Sequence, residues 1–171
     1  LDLVRFISNR SSGRMGYAMA EEARDLGGKI TLISGPVSLP PIPEVNMVYV
    51  ESAMEMNIAI KKYVSSSDYI FMAAAVSDYC INKPADHKIK SNKENLIINL
   101  RKTPDILKSI EYKKNTVITA FALETENGEE NAIKKLKEKN ADFIVLNYAN
   151  EAGAGFDSST NRVIIIDKDG Q

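Results

Sequence analysis

At 171 residues the chain is long enough for one domain with a core that folds without staples. Hydrophobic residues make up 44% and charged residues 26%, the ordinary balance of a soluble domain. A net charge of -1 excludes a global attraction for nucleic acid or anionic membranes, although it leaves room for a local basic patch. The single cysteine, Cys80, excludes an intrachain disulfide framework and a multi-cysteine metal site. No apolar run approaches the roughly 18 residues of a membrane span, and no secretory pattern opens the chain, so the cytoplasm is the expected location. The chain opens at Leu1 without a methionine and ends at Asp169-Gly170-Gln171 beside a strand. It is expected to be a piece of something longer.

The first predicted helix covers Gly13 to Leu26 and places Met15, Ala18, Met19, Ala23 and Leu26 near one face. Lys29 to Ile33 reads as a strand. The proline-dense Gly35 to Pro43 excludes regular elements and suggests a rigid loop. A short strand follows at Asn46 to Val50. Next comes a helix at Ser52 to Tyr63, with Ser52 as cap and Glu55 at capping-box spacing. Asp68 to Val76 is almost wholly apolar, which suggests a strand buried on both faces. Asp78 to Leu100 is long and polar, the mark of a functional or disordered loop, and its end, Asn95 to Leu100, looks like a hairpin or edge strand. Thr103 to Ile110 reads as a helix with Thr103 as N-cap and Pro104 at the first helical position. A strand at Asn115 to Phe121 precedes a helix at Glu129 to Lys139, with Ala132, Ile133 and Leu136 inward. Strands at Asp142 to Asn147 and Arg162 to Asp167 complete the set. Strands alternating with helices argue for a mostly parallel sheet covered on both faces.

Several residues along this frame suit chemistry. Ser11 and Ser12 precede Gly13 at a helix start, where hydroxyls cap, glycine permits close approach and free amides attract phosphate or carboxylate. The spacing is not the usual dinucleotide fingerprint. Asn9 can hydrogen-bond a developing oxyanion, and it can equally form a turn. Met72, Ala73 and Ala74 put small residues at the carboxyl end of a strand, where ligands of open α/β sheets sit. Asp78 follows, able to accept from ribose hydroxyls or simply to face solvent. Lys88 can reach a triphosphate as a mobile point charge or remain solvated. Phe121 can stack on a base or pack. Lys135 and Lys139 share one face of a lysine-rich helix. His87, the only histidine, has no partner in sequence that would make a metal site, and no metal ligand is assigned.

Six motifs then stand in one order: Val4-Arg5-Phe6-Ile7-Ser8-Asn9-Arg10-Ser11-Ser12-Gly13-Arg14-Met15-Gly16, Leu32-Ile33-Ser34-Gly35-Pro36-Val37, Ala73-Ala74-Ala75-Val76-Ser77-Asp78-Tyr79, Lys88-Ile89-Lys90, Thr103-Pro104-Asp105-Ile106-Leu107 and Phe121-Ala122-Leu123-Glu124-Thr125. Together they resemble phosphopantothenoylcysteine synthetase of the bacterial, CTP-dependent type, over essentially the whole chain. The resemblance implies a Rossmann-like three-layer α/β/α fold with a mostly parallel sheet, the family's N-terminal strand missing before Leu1, and an extended dimerisation arm at about residues 79–100. It implies a single synthetase domain over residues 1–171, truncated at the N-terminus and expected to be so at the C-terminus.

The implied activity is a ligase of coenzyme A biosynthesis. It joins 4'-phosphopantothenate to L-cysteine with CTP and Mg²⁺ through an acyl-cytidylate, releasing pyrophosphate and then CMP. FMN would belong only to a fused decarboxylase domain. The implied assembly is a homodimer, with neither nucleic acid nor membrane as partner. By the same resemblance Asn9, Arg5 and Lys88 are the catalytic residues. The nucleotide would contact Ser11, Ser12, Gly13, Met72, Ala73, Ala74, Asp78, Lys88, Pro104, Asp105, Ile106, Leu107, Phe121, Lys135 and Lys139. Two readings from other classes stand beside it: a non-catalytic nucleotide-binding module, and, on fold analogy alone, an NAD(P)-dependent oxidoreductase.

Overall fold

The computed structural model describes residues 1–90, 94–150 and 160–171. In chain order the elements are α1 (Arg14–Asp25), β1 (Thr31–Ser34), β2 (Asn46–Tyr49), α2 (Ala53–Tyr63), β3 (Tyr69–Met72), β4 (Tyr79–Ile81), β5 (Leu100–Lys102), β6 (Val117–Glu124), α3 (Gly128–Lys139), β7 (Phe143–Tyr148) and β8 (Ile164–Asp167). Single 3₁₀ turns occupy Val64–Ser66 and Leu107–Ser109. The α/β class holds, and parallel pairing dominates. The expected single sheet is divided among the described residues. β1 and β2 pair in parallel, while β3, β6 and β7 pair in parallel with β8 antiparallel at the far edge. β4 and β5 form a separate antiparallel hairpin.

The main core lies where α3 crosses β6 and β7. Ala132 and Leu136, one helical turn apart, press onto Ile118, Ala120, Ile144 and Leu146, all buried. A second core binds the two parallel sheets together: Val50, Met56 and Ile106 pack with Ile33, Val48, Ile60, Met72 and Val76. It sets the β1–β2 pair and α2 beside the end of β3.

The local chemistry of α2 matches its sequence. Ser52 Oγ accepts from the Glu55 amide at 3.2 Å, and Glu55 reaches back to the Glu51 amide at 2.8 Å. Four expectations need correction. β3 is not buried on both faces: Tyr69 is 66% and Phe71 52% exposed, because among the described residues β3 is an edge strand and its side chains alternate. It stops at Met72, where Val76 N donates back to Ala74 O and the chain leaves extended geometry.

The inner face of α1 is also rotated from the expected one. Tyr17 and Ala20 are buried, whereas Ala18 is exposed and Leu26, past the helix end, is 79% exposed. Tyr17 can go inside because its hydroxyl donates to Ser34 Oγ at 3.1 Å.

The helix expected at Thr103 to Ile110 is reduced to the 3₁₀ turn Leu107–Ser109. The Thr103 amide is tied to Asp78 O at 2.8 Å, and Asp105, not Thr103, accepts an amide of the turn, from Lys108 at 3.3 Å. So short a segment cannot offset the cost of an α-helical nucleus. Thr103 Oγ1 is buried with no hydrogen-bond partner among the described residues. Finally, the strand expected at Asn95 to Leu100 begins only at Leu100. Asn82 N donates to Asn99 O just beyond the hairpin, and Leu96, Ile97 and Ile98 are exposed.

Candidate functional site

The opening loop and the residues that follow β3 meet past that strand's carboxyl end, the end of a parallel sheet that leaves room for a ligand. The opening loop is brought there directly. Asn9 Nδ2 donates to Ala75 O at 2.5 Å, and a Cβ on Gly16 would lie 3.9 Å from that of Ala73, so loop and helix start lie along the strand end. A primary amide has two N–H donors and a carbonyl, so this bond leaves Asn9 with further hydrogen-bonding capacity.

The start of α1 is glycine-capped rather than serine-capped. Gly13 adopts φ 77°, with no side-chain cap bond, and the Arg14 amide reaches Ser12 Oγ only at a marginal 3.5 Å. Ser11 and Ser12 therefore lie half-buried beside helix-start amides that a ligand oxygen can use. Glycine is required twice at position 13, because an added Cβ would meet Val37 Cγ1 at 2.8 Å. Gly13→Ala is expected to destabilise the fold by about 1–2 kcal/mol from the left-handed backbone alone. A lowered denaturant midpoint at unchanged m would show it.

A charged cluster forms the second wall. Lys139 Nζ pairs with Asp105 Oδ2 at 2.5 Å, both side chains about three-quarters covered. Burial pushes the Asp105 carboxyl up. The hydrogen bond from Lys139, the Lys108 amide and the charges of both lysines outweigh it and hold the group below its ordinary 3.8. Lys135 is half-buried one turn away. Burial first, and the Lys139 charge second, push its ammonium below the ordinary 10.5, against the pull of Glu124, Asp78 and Asp105. Asp78, Asp105, Glu124, Lys135 and Lys139 thus share one electrostatic neighbourhood. A lysine destabilised by burial and by a like charge suits an incoming polyanion.

The remaining anticipated residues divide. Phe121 lies inside β6, which runs on to Glu124, so it does not end its strand; it is half-buried opposite Val145, just past the stretch paired with β3. The side chains of Ile106 and Leu107 pack into the cores, leaving only their main chain for a ligand, and Pro104 is exposed. Lys88 is exposed and has no ion-pair partner among the described residues. Its segment is nevertheless held to the opening loop. Arg5 Nη2 donates to Ile89 O at 2.8 Å and to Asp2 Oδ2 at 2.6 Å. Asp2 went unnoticed in the sequence, although an aspartate three residues before an arginine can fold back on its own main chain. The Glu124 and Asp105 contacts, and the main chain of Ala75, were missed as well. An open cavity of about 380 Å³ lined by Glu129, Leu146, Tyr148, Asn150, Arg162 and Ile164 involves none of the anticipated residues. Among the described residues no group of three or more acidic, histidine or cysteine side chains could hold a metal, and no helix is long and apolar enough to cross a membrane.

The sequence and the fold recur in known proteins. Residues 1–171 match the family described as DNA/pantothenate metabolism flavoprotein C-terminal domain. A cysteine/cysteine sulfinic acid decarboxylase from an unknown prokaryotic organism is 46% identical, over 98% of this chain and 48% of its own length. The coenzyme A biosynthesis bifunctional protein CoaBC of Bacillus subtilis (strain 168) is 44% identical, over 99% of this chain and 42% of its own. The chain thus spans about half the length of the curated relatives it matches. The crystal structure of the C-terminal domain of a coenzyme A biosynthesis bifunctional protein CoaBC superposes with a TM-score of 0.82 at 41% identity, covering 99% of this chain and 76% of that one. With the family matched end to end and the fold shared, the chain belongs to the DNA/pantothenate metabolism flavoprotein C-terminal domain family.

Proposed function

We propose that the chain is the ligase domain that joins 4'-phosphopantothenate to L-cysteine at the expense of CTP. The observation that carries this reading is the bond from Asn9 to the Ala75 carbonyl past the end of β3, three residues before Asp78, whose charge acts on Lys135 of the Lys135–Lys139 cluster. One wall offers neutral donors and the other offers cations. The substrate carboxylate attacks the α-phosphorus and pyrophosphate leaves; the cysteine amine then attacks the acyl carbon, loses its proton and displaces CMP. The attacking groups belong to the substrates, so the protein needs no nucleophilic side chain, in keeping with its one histidine and one cysteine. Its task is to orient and to balance charge. Asn9 holds an oxygen where charge develops, and Lys135, Lys139 and Lys88 face the triphosphate.

Mg²⁺ is the expected companion of the nucleotide. The donor set does not make a protein-only cation site among the described residues. FMN would serve a fused decarboxylase domain and has no part in this site. A homodimer through the arm at about 79–100 fits the exposed Leu96, Ile97 and Ile98, and a cytoplasmic setting fits a domain of this kind.

The decisive measurement follows pyrophosphate and CMP with the full-length protein, CTP and Mg²⁺. Pyrophosphate is expected only when phosphopantothenate is present, and the amide product and CMP only when cysteine is added. Absence of both acyl-cytidylate and amide product would overturn the reading. CTP binding by calorimetry without turnover would instead favour a regulatory nucleotide-binding module.

A further inference from the structure

Residues 1–5 and 85–89 form a clamp that the roles given above do not use. Asp2 Oδ1 accepts from the amides of Val4 and Arg5, each at 2.9 Å. Asp2 Oδ2 accepts from Arg5 Nε at 3.1 Å, from Arg5 Nη2 at 2.6 Å and from the Ile89 amide at 2.9 Å. Arg5 Nη2 also donates to Ile89 O, so both main-chain polar groups of Ile89 are held by this one pair. Asp2 and Ala85 form a parallel bridge, and Ala85 N donates to Leu1 O at 3.1 Å. The Asp2 side chain has no accessible surface although little protein stands behind it, because its own donors cover it near the molecular surface. The hydrogen bond from Arg5, then those from the Ile89, Val4 and Arg5 amides, hold its carboxyl far below the ordinary carboxylate range.

Five donors on one carboxylate exceed what a surface turn needs. One of them is the amide of Ile89, 87 positions away and flanked by Lys88 and Lys90. We propose that Asp2 is a positioning residue of the ligase site, clamping Arg5 and the Ile89 main chain so that Lys88 is presented to the triphosphate beside the opening loop. It acts through Lys88 and touches no substrate itself. This rests on the CTP-dependent ligase reading.

The test compares Asp2→Asn, Asp2→Ser and Lys88→Ala, alone and combined, in the full-length protein, by pyrophosphate release and melting temperature. Asp2→Asn keeps the shape and removes the charge, while Asp2→Ser keeps an acceptor for the Val4 and Arg5 amides and removes Oδ2. Losing a charge-assisted hydrogen bond to the clamp is expected to raise KM for CTP about tenfold or more with kcat much less affected. Adding either Asp2 change to Lys88→Ala should cost little further, because the two act on one group. Wild-type KM in both Asp2 variants, effects that multiply with Lys88→Ala, or a lowered melting temperature with KM unchanged would each overturn the proposal. A wild-type protein that releases no pyrophosphate would overturn the ligase reading itself, and this inference with it.

Discussion

Asn9→Ala and Asn9→Asp are expected to lower kcat about 10²- to 10³-fold, the loss typical when one preorganised donor is removed from a site of developing charge. CTP affinity should change far less. The geometry supplies the reason for the split. Asn9 comes from the opening loop and reaches the Ala75 carbonyl, whereas the cationic wall comes from α3. Removing the amide leaves the lysines where they are. Asp is the sharper probe, because it keeps the side-chain shape but sets a carboxylate oxygen against the Ala75 carbonyl and adds negative charge beside anionic substrates. Single-turnover measurement of the two half-reactions checks the assignment. A variant that loses CTP affinity while processing bound substrates normally would contradict it.

The fold was legible where short-range chemistry decides it. Ser52 with Glu55 specified the start of α2, and the spacing of Ala132 and Leu136 specified the buried stripe of α3. Local sequence patterns mislead where a distant partner changes the outcome. Tyr17 does not show as part of the inner face of α1, because its hydroxyl is satisfied by Ser34, 17 positions away. Thr103 carries every local sign of an N-cap, yet its amide is committed to Asp78 and its turn is capped by Asp105. Tyr69 and Phe71 made the third strand look buried on both faces, and only its edge position exposes them.

The site follows the same rule. Asn9 and Arg5 lie in the opening motif, and Lys135 and Lys139 are marked by a shared helix face and by the family resemblance. The pairings that give them geometry span 66 positions from Asn9 to Ala75 and 34 from Asp105 to Lys139. Local periodicity does not encode such pairings; Asp2 differs, since its spacing to Arg5 is a local signal and only its bond to Ile89 is distant. Asp105 was read as a nucleotide contact; the structure adds that it already neutralises Lys139, so an incoming phosphate must share or displace that pair.

Lys135→Met should separate stability from binding. In the folded protein the Lys135 ammonium is opposed by burial and by Lys139, so folding releases a proton from it on the way up in pH. The sign for stability follows: the cost of keeping this lysine charged is fully present below its lowered pKa and is relieved as pH rises from there toward 10.5. Methionine preserves the stem and removes the charge, so melting temperature should hold or rise at neutral pH.

The sign for binding is opposite. A triphosphate favours the protonated lysine, so CTP binding takes up a proton, and affinity should fall as pH rises through the lowered pKa. Loss of one charge-assisted contact is worth about 1.5–3 kcal/mol, so Lys135→Met should weaken CTP roughly 10- to 100-fold and flatten that alkaline decline. Lys134 and Lys137, exposed on the same helix, are the controls. Their methionine variants should change affinity by less than about threefold, as screened surface charges do. Equal losses at all three positions would reduce α3 to a generally basic surface and remove Lys135 from the site.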